Sequence, residues 1–516
     1  MQITYLGHAG FLVETADAII VMDPWLSPGG AFDSAWFQFP RNHHLAAWVE
    51  EKLEQRGKAK YIYISHEHKD HFDAAFLRSL SSQDFHLITP KFRRSALRDV
   101  LSKFPSRGVM ACEDGQTIDL PSGLIRLYLD DSELNRDSAI LVRAENNSFL
   151  NFNDCKLYDR LSAISRAEGS PDVFTCQFSG ATWHPTCYEY SPEEYERISQ
   201  KKQLTKFETV ARAISTVRPR CYVPSAGPAC FLDPLLFHLN CERVNIFPHA
   251  WTFLAYLAKK RPGLHAQYMM PGDVLDAGSA QLLFETQSRV WHDNYEAVIR
   301  EYAAHYTGYF ATRQAQYAHV SPSAVLAELR AVLDAKLTRL TLADRIKVPL
   351  YFTLSDLPET ALKVEFPQRK ITVVQNERVE PYYSITAPSW EIIRVLDGRL
   401  TWEDFALTFR MRLSRAPDLY QALIQGFLIM EEEDLAYFCT RVLNLESRNE
   451  RIVVGDSRKY VVDRYCPHQA GDLKHAWIEG GRYLTCPRHR WQFDLEKGGQ
   501  CLTNDSTIHA ACLDDD

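Results

Sequence analysis

The chain has 516 residues, 46% of them apolar and 24% charged, with a formal net charge of -8 and a pI near 6.2. That composition suits a globular protein of about three domains, and the acidic balance argues against nucleic acid as a partner. No apolar run reaches the ~18 residues of a membrane span, so a membrane is not expected to be a partner either.

The opening stretch, MQITYLGHAGFLVET, lacks the basic-then-apolar layout of a signal peptide and reads as a first strand, which makes a cytoplasmic protein the expectation. Residues 1 to 25 alternate short apolar runs with turns and predict paired strands with a tight turn near Asp17. KYIYIS (60 to 65), FHLITP, LIRLYL, AILVRA and SFLNFND continue the strand pattern. From about residue 190, EEYERISQKKQLTKFETVARAIS has helical spacing, and the stretch from 280 to 345 reads as helical too. Between 348 and 432, VPLYFTL, ALKVEF and KITVVQ predict strands. There follow a helix, a turn at Asp397-Gly398, a short helix, a strand and a helix. Short strands return after 451 in RIVVG, KYVVDR, YLTC and WQFDL, and the acidic end, Asp514 to Asp516, is expected to fray.

Of the 12 cysteines, ten are scattered without paired spacing and are expected to be reduced, buried side chains. The other two belong to residues 466 to 489, CPHQAGDLKHAWIEGGRYLTCPRH. Two loops there each present a thiolate and an imidazole, Cys466 with His468 and Cys486 with His489. That pattern resembles a Rieske domain, in which two Cys hold one iron of a 2Fe-2S cluster and two His hold the other. A structural zinc site is the alternative use of the same four residues, but the strand-rich context and the WQFDL continuation favour Rieske. The Cys pair that braces high-potential Rieske loops is absent, since Gln469, Ala470, Gly471 and Arg488 stand there. The cluster is therefore expected to be of the oxygenase or ferredoxin kind.

Far upstream, SHEHKDHFD follows strand YIYIS and sets out His66, His68, Asp70 and His71 as H-x-H-x-D-H. Together with GHAGFLVE and the MDPW of Asp23, this resembles the metallo-β-lactamase fold in the branch typified by bacterial ascorbate-lactone hydrolase. The resemblance implies two ligands to each of two metal sites, with Asp154 of FNDC as the bridging aspartate. It also implies a His before that aspartate, where Glu133 stands in this sequence, and a last His in a VPxH-like stretch that here reads YVPSAGPAC. His249 in NIFPHAW and His184 in TWHPTC are the candidates for the last position. Asp70 and His184 are the candidate catalytic groups, and His8 is expected behind the ligands. More carboxylate and less imidazole favours iron over zinc.

SHEHKDH, LNFNDC, QFSGATWHPTCY, ISQKK, VRPRCYVPSAG and FRMRLSRAPDLYQALI resemble the CMP-N-acetylneuraminate hydroxylase family over roughly residues 60 to 430. That resemblance implies an oxygenase with a metallo-β-lactamase fold, served by a Rieske cluster, molecular oxygen and reductase-derived electrons. The family carries its Rieske domain at the N-terminus, whereas here it is at the C-terminus.

The expected architecture is α/β: a metallo-β-lactamase αββα sandwich (1-275), a helical connection (276-345), a sterol-carrier-like α/β domain (346-432) and a small all-β Rieske domain (433-516). The third block carries no catalytic constellation, and its expected role is structural or in homo-oligomerisation. The expected function is a monooxygenase using a 2Fe-2S cluster and non-haem iron, two ions by the ligand count. Its expected partners are a small-molecule substrate, O2 and an electron-donating reductase or ferredoxin. A zinc hydrolase with a redox-sensing Rieske domain and a diiron oxygen or nitric-oxide reductase are the competing readings.

Overall fold

A computed structural model describes residues 1-132, 136-286, 294-317 and 319-513. It divides into two compact units. One comprises 1-131, 135-181 and 196-306; the other comprises 132-134, 182-195 and 307-516.

The first unit is built on two sheets. Among the described residues, an eight-stranded sheet runs in the order Gln281–Phe284, Val274–Asp276, Gln2–Gly7, Gly10–Glu14, Ala18–Met22, Ala59–Tyr63, His86–Pro90, Gly108–Cys112. A six-stranded sheet runs Cys221–Ser225, Val173–Gln177, Asn147–Asn151, Arg136–Ala144, Gly123–Asp131, Thr117–Leu120. The period of two along each strand makes this a sandwich. Phe11, Val13, Ile20, Met22 and Tyr63 face Ile125, Leu127, Ile140, Val142 and Phe149 in one core. Their sequence neighbours Leu12, Ile19, Val21, Ile62 and Ile64 point the other way, onto the helical residues Val49, Leu53, Phe76, Leu77 and Leu101. The second sheet is covered in the same fashion by Phe207, Val210, Ile214, Phe253 and Leu257 from the helices Pro192–Val217 and Ala250–Lys260. The result is the expected αββα order. One local expectation fails: Gln281–Phe284, read as helical, is a strand paired antiparallel to Val274–Asp276. A short apolar run supports an edge strand as readily as a turn of helix, and here an unpaired sheet edge takes it up.

In the second unit, a five-stranded sheet is ordered Lys370–Gln375, Leu357–Glu365, Leu350–Leu354, Tyr382–Ala387, Arg412–Ala416. The helix, turn, helix, strand, helix succession predicted after it is present as Ser389–Leu396, Gly398 at φ +70°, Trp402–Leu407, Arg412–Ala416 and Ala422–Ile429. Helix Glu432–Glu446 leads to a small all-β body with a three-stranded and a four-stranded sheet, whose core joins Tyr460, Val462, Leu473, Leu484, Phe493 and Ile508. The cysteines are free, and all but Cys241 and Cys512 are buried. Among the described residues, no helix is long and apolar enough to cross a membrane. Residues 514-516 lie outside the described residues.

Candidate metal centres

The first centre forms where the strands of the first unit end. Strand Ala59–Tyr63 runs into Ser65 and the histidine loop, which is closed by the His71 and Phe72 N–H groups donating to the His68 carbonyl at 3.0 and 2.7 Å. Asp73 then caps helix Ala74–Ser79 by accepting from the Phe76 N–H. Its other oxygen accepts from the Leu26 and Ser27 N–H groups at 3.0 and 2.7 Å. The loop is thereby stitched to the MDPW segment before any ligand is considered.

Two triplets of metal-ligating atoms result, each with its atoms within 4.8 Å of one another: His66, His68 and Asp154, and His8, Asp70 and His71. His66 Nε2 lies 2.8 Å from His68 Nδ1, His71 Nε2 lies 3.5 Å from Asp154 Oδ1, and His8 Nε2 lies 2.9 Å from Asp70 Oδ2. His8 is thus a member of a triplet rather than a residue behind one. It sits at φ +51° between Gly7 and Gly10, and a Cβ at Gly7 would stand 2.3 Å from Gln38 Oε1. Strained backbone of this kind concentrates at functional sites, and Asp23 (φ +40°) and Asn153 (φ +48°) share it.

Behind the triplets stands a buried polar layer. The Asp23 carboxylate accepts from Ser65 N–H at 2.8 Å, Ser65 Oγ at 2.7 Å and His71 Nδ1 at 2.8 Å. A carboxylate on Nδ1 fixes the tautomer and leaves Nε2 free to bind metal. Ser138 Oγ donates to the Ser65 carbonyl at 2.9 Å. Asp137, at the start of strand Arg136–Ala144, is buried with Oδ1 3.3 Å from His66 Nδ1. Burial and the adjacent Asp154 charge push the Asp137 carboxyl well up. Asp154, although burial opposes it, is held well below the usual range by His71 and His66. Burial and His71 push His66 down to about 3. His71 is raised against the effect of burial by Asp154, Asp70 and Asp23.

The donors fit a cation. Asp70 Oδ1, His71 Nε2 and Asp154 Oδ1 are buried atoms with no hydrogen-bond partner. Buried polar atoms are rarely left so, and one or more cations would satisfy them together. Of the other residues singled out from the sequence, Glu133 lies outside the described residues. His249 joins neither triplet. It precedes helix Ala250–Lys260 and stacks on Trp251 at 4.0 Å, with Tyr295 edge-on at 4.4 Å. His184 belongs to the second unit, its Nε2 2.9 Å from Tyr190 Oη. The sequence signal for Asp137 was only its place seventeen residues before Asp154 at the mouth of a predicted strand.

The second centre is made by two loops of one design. The Cys466 N–H donates to the Gly471 carbonyl at 2.9 Å and the Ala470 N–H to the Cys466 carbonyl at 3.0 Å. The Cys486 N–H donates to Trp491 at 2.9 Å and the Arg490 N–H to Cys486 at 3.0 Å. Ala470 and Arg490 both adopt left-handed backbone, at φ +54° and +61°. Cys466 and Cys486 are fully buried and within hydrogen-bonding reach of each other, and burial with that neighbour pushes the Cys466 thiol well up. The imidazoles of His468 and His489 meet edge to face at 4.6 Å. A Cβ on Gly471 would stand 2.9 Å from Cys486 Sγ, so the space beside the thiols is kept open by that glycine. Two thiols and two imidazoles brought together in this way fit a Rieske cluster.

Fold and sites define an iron–sulfur protein that joins a β-lactamase superfamily domain to a Rieske domain. Residues 2–125 match the family model described as "Beta-lactamase superfamily domain", and residues 427–512 match "Rieske [2Fe-2S] domain". The chain is 30% identical to the Mycobacterium tuberculosis (strain ATCC 25618 / H37Rv) protein named "Putative Rieske 2Fe-2S iron-sulfur protein Rv3818", over 98% of both chains. The chain belongs to the family of that Rieske 2Fe-2S iron-sulfur protein. It is also 24% identical to the Xenopus laevis cytidine monophosphate-N-acetylneuraminic acid hydroxylase, over 81% of this chain and 70% of that one. Among solved structures, CmlA, a diiron β-hydroxylase from Streptomyces venezuelae, aligns at 14% identity over 53% of each chain with a TM-score of 0.35, too slight a likeness to bear on chemistry.

Proposed function

We propose that the protein is a Rieske-coupled, non-haem iron monooxygenase that hydroxylates a small metabolite with O2 and electrons from an external reductase or ferredoxin. One observation carries this reading. A domain suited to moving single electrons shares a chain with a separate centre that brings together the four imidazoles of His8, His66, His68 and His71 and the two carboxylates of Asp70 and Asp154. A hydrolase needs no electron supply. The hydroxylase relatives support a nucleotide sugar as the substrate class, with an amine or amide as the other option.

In this reading His66, His68 and Asp154 hold one iron and His8, Asp70 and His71 a second, with Asp154 reaching toward both through its 3.5 Å approach to His71. Asp137 and Glu133 are the candidates for a further carboxylate. Iron bound there supplies the activation of oxygen. The chain's own residues supply orientation. Asp23 fixes the His71 ring, Ser65 ties Asp23 to the loop, and the left-handed turn at His8 delivers its Nε2 to Asp70. Asp70, held ionised by His71 and His8 despite burial, offsets the cationic charge of the site.

The test is metal analysis of the purified protein, with an electron paramagnetic resonance spectrum after reduction. Oxygen uptake is then measured with reduced ferredoxin, in the presence and absence of CMP-N-acetylneuraminate. Iron in excess of the cluster and substrate-dependent uptake are expected. Zinc in place of that excess iron would overturn the reading in favour of a hydrolase. Excess iron with uptake that ignores the nucleotide sugar would remove that substrate class.

A further inference from the structure

The half-buried imidazole of His468 is flanked by two aromatic rings of different origin. Trp491 follows Cys486 on the same loop and lies flat on His468, with ring centroids 4.3 Å apart and planes 11° from parallel. Tyr420 meets the same imidazole edge-on at 5.7 Å and 90°, and meets Trp491 at 5.5 Å and 79°. Tyr420 is not part of the iron–sulfur domain, whose family match begins at residue 427. It closes the stretch RLSRAPDLY, which the proposed oxygenase chemistry leaves without a role.

The backbone around Tyr420 is tied on both sides. Its N–H donates to the Thr503 carbonyl at 3.0 Å, and the Tyr383 hydroxyl donates to the carbonyl of Leu419 just before it. Arg415 organises the group. Its guanidinium lies over Tyr188 at 4.9 Å and over Tyr383 at 5.7 Å, and its Nε donates to Asp418 at 2.6 Å. Asp418 in turn accepts from the Tyr190 hydroxyl at 3.1 Å. Two sequence stretches far apart, HPTCYEY and RLSRAPDLY, are thus built into one support that ends on a cluster histidine.

We propose that Tyr420 is a positioning residue of the iron–sulfur centre: its ring edge holds His468 against Trp491 and keeps water from that imidazole, and this lowers the reduction potential of the cluster. The proposal rests on the Rieske domain alone, not on the oxygenase reading. A cluster with two thiolates and two neutral imidazoles is neutral when oxidised and carries one negative charge when reduced. Water favours the charged state, and an apolar cover disfavours it. The step concerned is transfer of one electron from an external donor to one iron, with no covalent bond made or broken. Removal of the ring therefore favours the reduced cluster.

The test uses the full chain with its cluster in Tyr420→Leu, Tyr420→Met and Tyr420→Phe, by mediated redox titration and electron paramagnetic resonance of the reduced state, with cluster content measured in each. Tyr420→Leu opens that imidazole to water and is expected to raise the reduced-to-oxidised ratio at a fixed poise roughly several-fold, tenfold being about 59 mV for one electron, and to move the g-values. Tyr420→Phe keeps the ring edge and is expected to match the parent in both measurements. Parent potential and g-values in a fully loaded Tyr420→Leu would overturn the proposal, as would a Tyr420→Phe that behaves like Tyr420→Leu. Should Tyr420→Leu fail to hold the cluster, Tyr420→Met decides, and parent potential and g-values there overturn the proposal.

Discussion

His71 Nδ1 lies 2.8 Å from Asp23 Oδ2, and neither side chain has any exposed surface. The two residues are 48 positions apart in the chain, so this bond is a property of the fold rather than of the histidine motif. With Nδ1 committed to a carboxylate, Nε2 alone is left for a metal. Partners of this kind typically matter 10- to 100-fold in metal affinity. Asp23→Asn is expected to weaken iron retention in the first centre by about that factor, read by competitive chelation, while the cluster spectrum is unchanged.

Asp154→Ala removes a carboxylate that, in the proposed reading, is itself a ligand rather than the support of one. Its Oδ1 is buried without a hydrogen-bond partner and lies 3.5 Å from His71 Nε2. The first centre is expected to lose its iron in this variant, measured as the fall from total iron to cluster iron. The Rieske spectrum is expected to persist, because Cys466, His468, Cys486 and His489 share no atom with Asp154. Asp137→Asn and Glu133→Gln extend the same measurement. The carboxylate whose loss lowers iron content is the additional ligand.

What could be read from the sequence here is what lies close together along it. H-x-H-x-D-H and the two Cys/His loops are short motifs, so their residues could be named without a fold. His8, Asp23 and Asp137 were harder because the strand ends that carry them meet only in three dimensions. Glu133 lies outside the described residues. The hairpin register sets Asp137 opposite Asp130 and next to the buried Ser138, with a carboxylate oxygen 3.3 Å from His66 Nδ1. A one-residue slip in such a register would turn it to the other face. His249, which the sequence offers for the last imidazole, joins neither triplet, and its ring stacks on Trp251. Aromatic stacking leaves no periodic trace in a sequence.

Gly471 makes a prediction about the second centre that depends on space alone. A methyl group there would stand 2.9 Å from Cys486 Sγ and 3.3 Å from Arg488 Cγ. The sulfur cannot give way without leaving the position in which it faces Cys466. Gly471→Ala is expected to lower 2Fe-2S occupancy several-fold, read as the visible absorbance and acid-labile sulfide of the purified protein. Gly480→Ala, where nothing lies within 4 Å of the new carbon but φ is +57°, is expected to cost some stability and leave occupancy unchanged.

Lys336 supplies a prediction about pH. Its side chain is fully buried in helix Pro322–Arg339, with Nζ 4.2 Å from the centre of the Trp402 ring and 5.5 Å from that of Phe427. Burial pushes the ammonium down to about 7, against the opposing pull of Glu431, and burial raises the Glu431 carboxyl. A lysine with a depressed folded value binds its proton more weakly in the folded chain than in the unfolded one, where it titrates near 10.4. Between about pH 7 and pH 10 the unfolded chain therefore holds the extra proton, and the lysine's contribution to stability rises with pH. Below pH 7 the full penalty of burying the ammonium is present, reduced by the contact with Trp402. Replacing a buried charge, together with the carboxylate whose field acts on it, by neutral side chains of similar size is often neutral or stabilising. The double variant Lys336→Met, Glu431→Gln is accordingly expected to melt at or above the parent temperature at pH 6, and its advantage is expected to shrink steadily by pH 10. Calorimetry of both proteins across that range checks it, and an advantage that stays constant with pH would show that Lys336 is not the group responsible.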